Sequence, residues 1–99
     1  MTIQDCRGEI DKVDAEILRL LNLRAELAAR VGESKRSAGL SVCDRARERE
    51  VVERARLNNR GPLDDGAVAR LFRAVIRESR RLQSRAAEAA GARPTEAAR

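Results

Sequence analysis

Arg24 stands between Leu20 and Leu27 on a three-four helical repeat, where an apolar side chain is expected. A guanidinium on a buried seam is costly unless an anion meets it, so Arg24 implies either an internal carboxylate partner or an anionic ligand. Lys35 follows eleven residues later, which at about 100° per residue returns it to within about 20° of the same helix face. Glu48 precedes Val51 and Val52 by three and four residues and shares their core-facing side. Ser79 and Gln83, four residues apart, interrupt the apolar stripe of Val75, Ile76 and Leu82. Taken singly, each reads as part of a satisfied hydrogen-bond network between helices. Taken together, Arg24, Lys35, Glu48, Ser79 and Gln83 describe a pocket with an excess of cations and neutral donors, suited to a small polar dianion.

The chemistry such a pocket could perform is bounded by what the chain lacks. There is no His, which removes the usual general base at neutral pH, so an enzyme built from these residues should need little proton transfer. Cys6 and Cys43 have neither metal-ligand nor redox spacing and read as two reduced thiols, with no metal and no cofactor expected. The apolar runs Ile17-Leu18 and Leu20-Leu21 are broken by charge, so no membrane span or signal-peptide core is expected and the location should be cytoplasmic. A net charge of +5 raises a nucleic-acid reading. Acidic residues interleave with the basic ones, however, and no aromatic stacking surface or helix-turn-helix pattern accompanies them. Most of the arginines then read as solvated helix faces, and no nucleic-acid partner is expected.

The elements that must position these residues are helical. Phe72 is the only aromatic residue among 99, so burial falls to Leu, Ile, Val and Ala, the set that packs helix on helix. Ile3, Cys6, Ile10, Val13, Ile17, Leu20, Leu27 and Val31 recur at threes and fours, which predicts one long helix over residues 3–37 with a narrow apolar seam. At 1.5 Å per residue it would be about 50 Å long, more than a compact globule of this size can cover. The economical cover is the same helix of a second copy. Gly39 should stop this helix and Asp44 should cap a short second one running to about Leu57. Asn58 to Pro62 supplies a turn, and Asp64 or Asp65 should cap a third, medium helix. Its stripe is Val68, Leu71, Phe72, Val75, Ile76, Leu82 and Ala86. The expectation is an all-α chain with one domain over 1–87 and a disordered tail over 88–99, where apolar periodicity ends.

Nearly all of residues 3–84 resembles the all-helical AroQ, or type II, chorismate mutases. Arg7, Ile10, Asp11 and Asp14 match the family's opening motif, Leu20-Leu21-Asn22-Leu23-Arg24 its mid-helix motif, and Val31 to Lys35 the end of that helix. Val42, Asp44, Arg47 and Glu48 fit the second-helix motif, and Phe72, Arg73, Ile76, Ser79 and Gln83 the third. The resemblance implies an intertwined homodimer, with two sites each built from both copies, that rearranges chorismate to prephenate in aromatic biosynthesis. It also implies that Arg7, Arg24, Lys35, Asp44, Arg47, Glu48, Ser79 and Gln83 bind the substrate, with Lys35, Gln83, Arg24 and Glu48 carrying the catalysis. Arg7 resembles the residue that the partner copy donates. It lies seventeen residues from Arg24, about 25 Å along one helix, too far for both to clasp one small ligand.

Several expectations follow for individual residues. Burial should raise the Glu48 pKa. Gln83 either meets the substrate's ether oxygen or bonds to a neighbouring helix. Gly8 should loosen the helical segment carrying Arg7, and Arg80 and Arg81 should belong to a solvated face. Three rival readings stand beside the main one: a mutase for 4-amino-4-deoxychorismate, an isochorismate pyruvate lyase, and a basic helical dimer that binds nucleic acid or protein. Glu48 argues against the lyase, whose family pattern generally lacks it.

Overall fold

A computed structural model describes residues 1–97, with side chains through Ala89. Three helices follow one another: α1 (Ile3–Ser37), α2 (Arg45–Asn58) and α3 (Asp65–Ala97). The predicted boundaries of α1 hold, and the physical cause is visible at both ends. The Thr2 hydroxyl accepts from the Asp5 N–H while Asp5 accepts from the Thr2 N–H, each at 3.0 Å, a reciprocal cap that satisfies two otherwise orphaned donors. That cap holds the first turns, and α1 runs through Gly8 without interruption, contrary to the loosening expected there. At the other end Gly39 takes φ +73°, and two bonds close the helix: Gly39 N–H to Arg36 O at 3.0 Å and Leu40 N–H to Lys35 O at 2.8 Å. This αL closure, which favours glycine, pins the backbone of the turn that carries Lys35.

Asp44 caps α2 as expected, its carboxylate accepting from the Arg47 N–H at 2.9 Å. Between α2 and α3 the Asn59 amide donates to Leu63 O at 2.7 Å and to Asp65 Oδ1 at 2.9 Å. Asp64 accepts from the Ala67 N–H at 2.7 Å, so of the two candidate caps Asp64 serves and Asp65 opens the helix. The third helix, expected to be medium in length, spans 33 residues, because the alanine-rich stretch after Leu82 favours helix without needing a packing partner. The tail expected over 88–99 falls largely on residues beyond Ala89 whose side chains lie outside the described residues, as do Ala98 and Arg99 entirely.

α3 packs against both α1 and α2, whereas α1 and α2 do not pack on each other. Val52, Ala69 and Ile76 form the small core, with Val51 packed against them. The α1 seam is left bare in the single chain: Ile3 is 74% exposed, Ile17 48% and Leu27 49%, and Leu71 of α3 is likewise exposed. No helix among the described residues is long and apolar enough to cross a membrane.

Candidate active site

Because α1 and α2 flank α3 without touching, a space of about 270 Å³ opens between them with α3 as its floor, at the lower edge of the range for small-molecule sites. Arg24, Leu27, Ala28, Val31 and Lys35 line it from α1, Val42 and Asp44 from the loop, Arg47, Glu48 and Val51 from α2, and Ile76, Ser79, Arg80 and Gln83 from α3. Residues 24, 28, 31 and 35 share one face of α1, as do 76, 79, 80 and 83 on α3, so two helical repeats converge on one volume.

Of the eight expected binding residues, Arg24, Lys35, Asp44, Arg47, Glu48, Ser79 and Gln83 surround this cavity and Arg7 does not. Arg7 is exposed near the start of α1, and no part of its own chain brings it to Arg24. Inside the cavity the polar groups hold one another in place. The Arg24 guanidinium donates to Ser79 Oγ at 3.1 Å, and that hydroxyl donates to Val75 O at 3.2 Å. Lys35 Nζ lies 3.5 Å from Asp44 Oδ2. The backbone N–H of Arg47, with a smaller contribution from Lys35, holds the Asp44 carboxyl below the usual carboxylate range. The Gln83 amide donates to Ala28 O at 2.9 Å, the helix-to-helix bond of its two expected readings. That bond uses one of its two N–H groups.

Two expectations are corrected here. Glu48 accepts from Arg80 through both oxygens, Nε to Oε2 at 2.6 Å and Nη2 to Oε1. This pairing outweighs burial and holds the Glu48 carboxyl below its ordinary range, where the sequence suggested a raised value. Arg80, whose side chain is 42% exposed, is accordingly more than a residue of a solvated face, because it bridges α3 to α2. It lies one helical turn beyond the buried Ile76, and that four-residue spacing from a core position was the available signal. Arg81 does face solvent, beside Glu78. The sequence reading also missed Gly32, the one buried residue of α1, where an added Cβ would meet Gln83 Cγ at 3.2 Å and Nε2 at 3.4 Å. A Cβ there would press on the Gln83 side chain, which would have to give by a few tenths of an ångström.

An anion-receptive cavity between three helices has many parents, and comparison with known proteins narrows them. The profile described as chorismate mutase type II matches residues 6–84. The chain belongs to that family. A chorismate mutase of Methanocaldococcus jannaschii is 30% identical over 82 residues, covering 82% of this chain and 83% of that protein. A bifunctional chorismate mutase/prephenate dehydratase of Aquifex aeolicus is 44% identical over 78 residues, covering 75% of this chain but 22% of the relative. The chain thus spans about a fifth of such bifunctional relatives. An intracellular chorismate mutase of Mycobacterium tuberculosis is 40% identical over 52 residues, covering 52% of this chain and 50% of the relative. Among solved structures, a chorismate mutase from Thermus thermophilus superposes with a TM-score of 0.82 at 36% identity, covering 84% of this chain and 94% of that one. The type II chorismate mutase match ends one residue past Gln83, so the whole cavity lies inside it and the far end of α3 lies beyond it.

Proposed function

We propose that this chain rearranges chorismate to prephenate, as a homodimer whose two sites each take Arg7 from the partner subunit, in the cytoplasm and without metal, cofactor or nucleic-acid partner. The observation that carries the reading is the convergence of Arg24, Lys35, Glu48, Ser79 and Gln83, nominated by broken periodicity, on one cavity. The reaction is an intramolecular pericyclic shift: the ether C–O bond breaks as the new C–C bond forms, with no nucleophile and no net proton transfer. Catalysis then reduces to positioning and electrostatics. Arg24, steadied by Ser79, and Arg7 of the partner subunit hold the two carboxylates and so select the reactive chair of the enolpyruvyl ether. As the C–O bond lengthens, negative charge grows on the ether oxygen. Lys35 and the free N–H of Gln83 meet that charge from fixed positions, the logic of an oxyanion hole. Glu48 and Asp44 accept from the ring hydroxyl, while Val31, Val51 and Ile76 supply apolar wall.

The partner's contribution has its own support. The exposed seam of α1 is the face that a second copy would cover, and an antiparallel α1 would carry its Arg7 toward the open side of the cavity. The decisive experiment incubates the purified chain with chorismate and identifies the product. Prephenate is expected; pyruvate with an aromatic acid, or no turnover by folded protein, would reject the reading.

A further inference from the structure

Arg80 has no task in that mechanism, yet it reaches from α3 to α2 and grips Glu48 side-on at the wall of the cavity. The planar fork of a guanidinium fixes a carboxylate's rotamer as well as its charge. Each Glu48 oxygen keeps a further lone pair, so the carboxylate can still accept from a ring substituent. What it can no longer offer is an uncompensated negative charge. Asp44, the cavity's other carboxylate, is likewise taken by Lys35 at 3.5 Å, and Arg24, which bonds to the Ser79 hydroxyl, adds positive charge to the same walls, while Arg47 is paired with Glu50. A neutral hydroxyl donating to Glu48 meets no penalty in this setting. An ammonium at the same ring position would bring a third charge against the Arg80 guanidinium, with the Glu48 charge already neutralised at contact distance.

We propose that Arg80 is a specificity-determining residue: by pairing with Glu48 it makes the site select a ring hydroxyl over a ring ammonium, so that chorismate is the substrate and 4-amino-4-deoxychorismate is discriminated against. This rests on the reading of the cavity as a chorismate site. Arg80 also bridges α2 and α3, but its side chain is 42% exposed and stands outside the core of Val52, Ala69 and Ile76, so its replacement leaves that core filled.

The test measures kcat/KM for both compounds with the parent and with Arg80→Leu and Arg80→Lys, the readout being the ratio between substrates. The parent should favour chorismate. Arg80→Leu, which leaves Glu48 as an unpaired carboxylate, should move the ratio toward the amino compound by about tenfold. Arg80→Lys, which keeps the charge, should stay within a few-fold of the parent. Should Arg80→Leu fail to fold, as judged by circular dichroism, Arg80→Gln makes the same comparison with a neutral donor in place. A parent that prefers the amino compound, or a ratio unmoved by loss of the Arg80 charge, overturns the proposal alone. A folded parent that rearranges neither compound overturns the chorismate reading and this proposal with it.

Discussion

Gln83 spends one amide hydrogen on Ala28 O and lines the cavity, which makes its charge state the sharpest lever on the proposed chemistry. Gln83→Glu should be nearly inactive at neutral pH, because an ionised carboxylate opposes the charge developing on the ether oxygen. Its rate should rise as pH falls through the introduced group's pKa, when an O–H donor replaces the lost N–H. Gln83→Ala should lose about two to three orders of magnitude in kcat at every pH, the cost of one such donor. Pre-steady-state or steady-state rates across pH, set against thermal melts, separate this from a folding defect. The Arg80–Glu48 pair gives a second pH signature. Glu48 titrates below its ordinary value in the folded chain, so the pair's stabilisation is complete above the unfolded carboxylate pKa of about 4.3 and is lost as pH falls through the lower folded value. Arg80→Leu should therefore lower Tm at neutral pH and leave the acid end nearly unchanged, flattening the acid side of a Tm–pH curve. At this scale the sequence was legible where a polar residue broke an apolar repeat, as Arg24 and Gln83 do. It was silent where the deciding partner lies far along the chain: the sign of the Glu48 shift depends on Arg80, thirty-two residues away.

Helix ends and helix approaches set where these side chains sit. Gly32→Ala gains up to about 1 kcal/mol of helix propensity but places a methyl 3.2 Å from Gln83 Cγ. The melting temperature should change little while kcat falls by roughly tenfold at nearly constant KM, because a displaced amide costs the transition state more than the ground state. A parental kcat would show that Gln83 adjusts freely. On the outer side of the α2–α3 pair, Arg45, Arg49, Arg70, Arg73 and Arg77 line one groove, while its glutamates Glu53 and Glu48 are taken by Arg56 and Arg80. Like charges face each other there, so the melting temperature should rise between about 0.05 and about 0.5 M salt as screening shortens. A flat or falling curve would mean that the paired charges dominate. The three helices were readable because caps and stops are local: Thr2, Asp44 and Gly39 act within four residues of themselves. The reach of α3 past residue 87 was not, since weak apolar periodicity and strong alanine propensity point in opposite directions there.

The whole chain measures 66 × 27 × 15 Å, with a radius of gyration of 17.8 Å where a compact chain of this length would have about 13 Å. Such a shape leaves a small interior, and the exposed α1 seam is the face that the proposed second copy would cover. Sedimentation should give twice the chain mass, with specific activity falling on dilution as copies separate. An active monomer would remove the shared site. The reach of α1 also has a genetic consequence. Arg7 and Lys35 stand at opposite ends of a 35-residue helix, so in the proposed dimer they would serve different sites, and Arg7→Ala and Lys35→Ala, each expected to be nearly dead alone, would damage different halves of each site. In a mixed dimer both lesions fall in one site and the other is whole. Co-expressed in equal amounts and assembled at random, the two inactive chains should complement each other, with about a quarter of all sites intact.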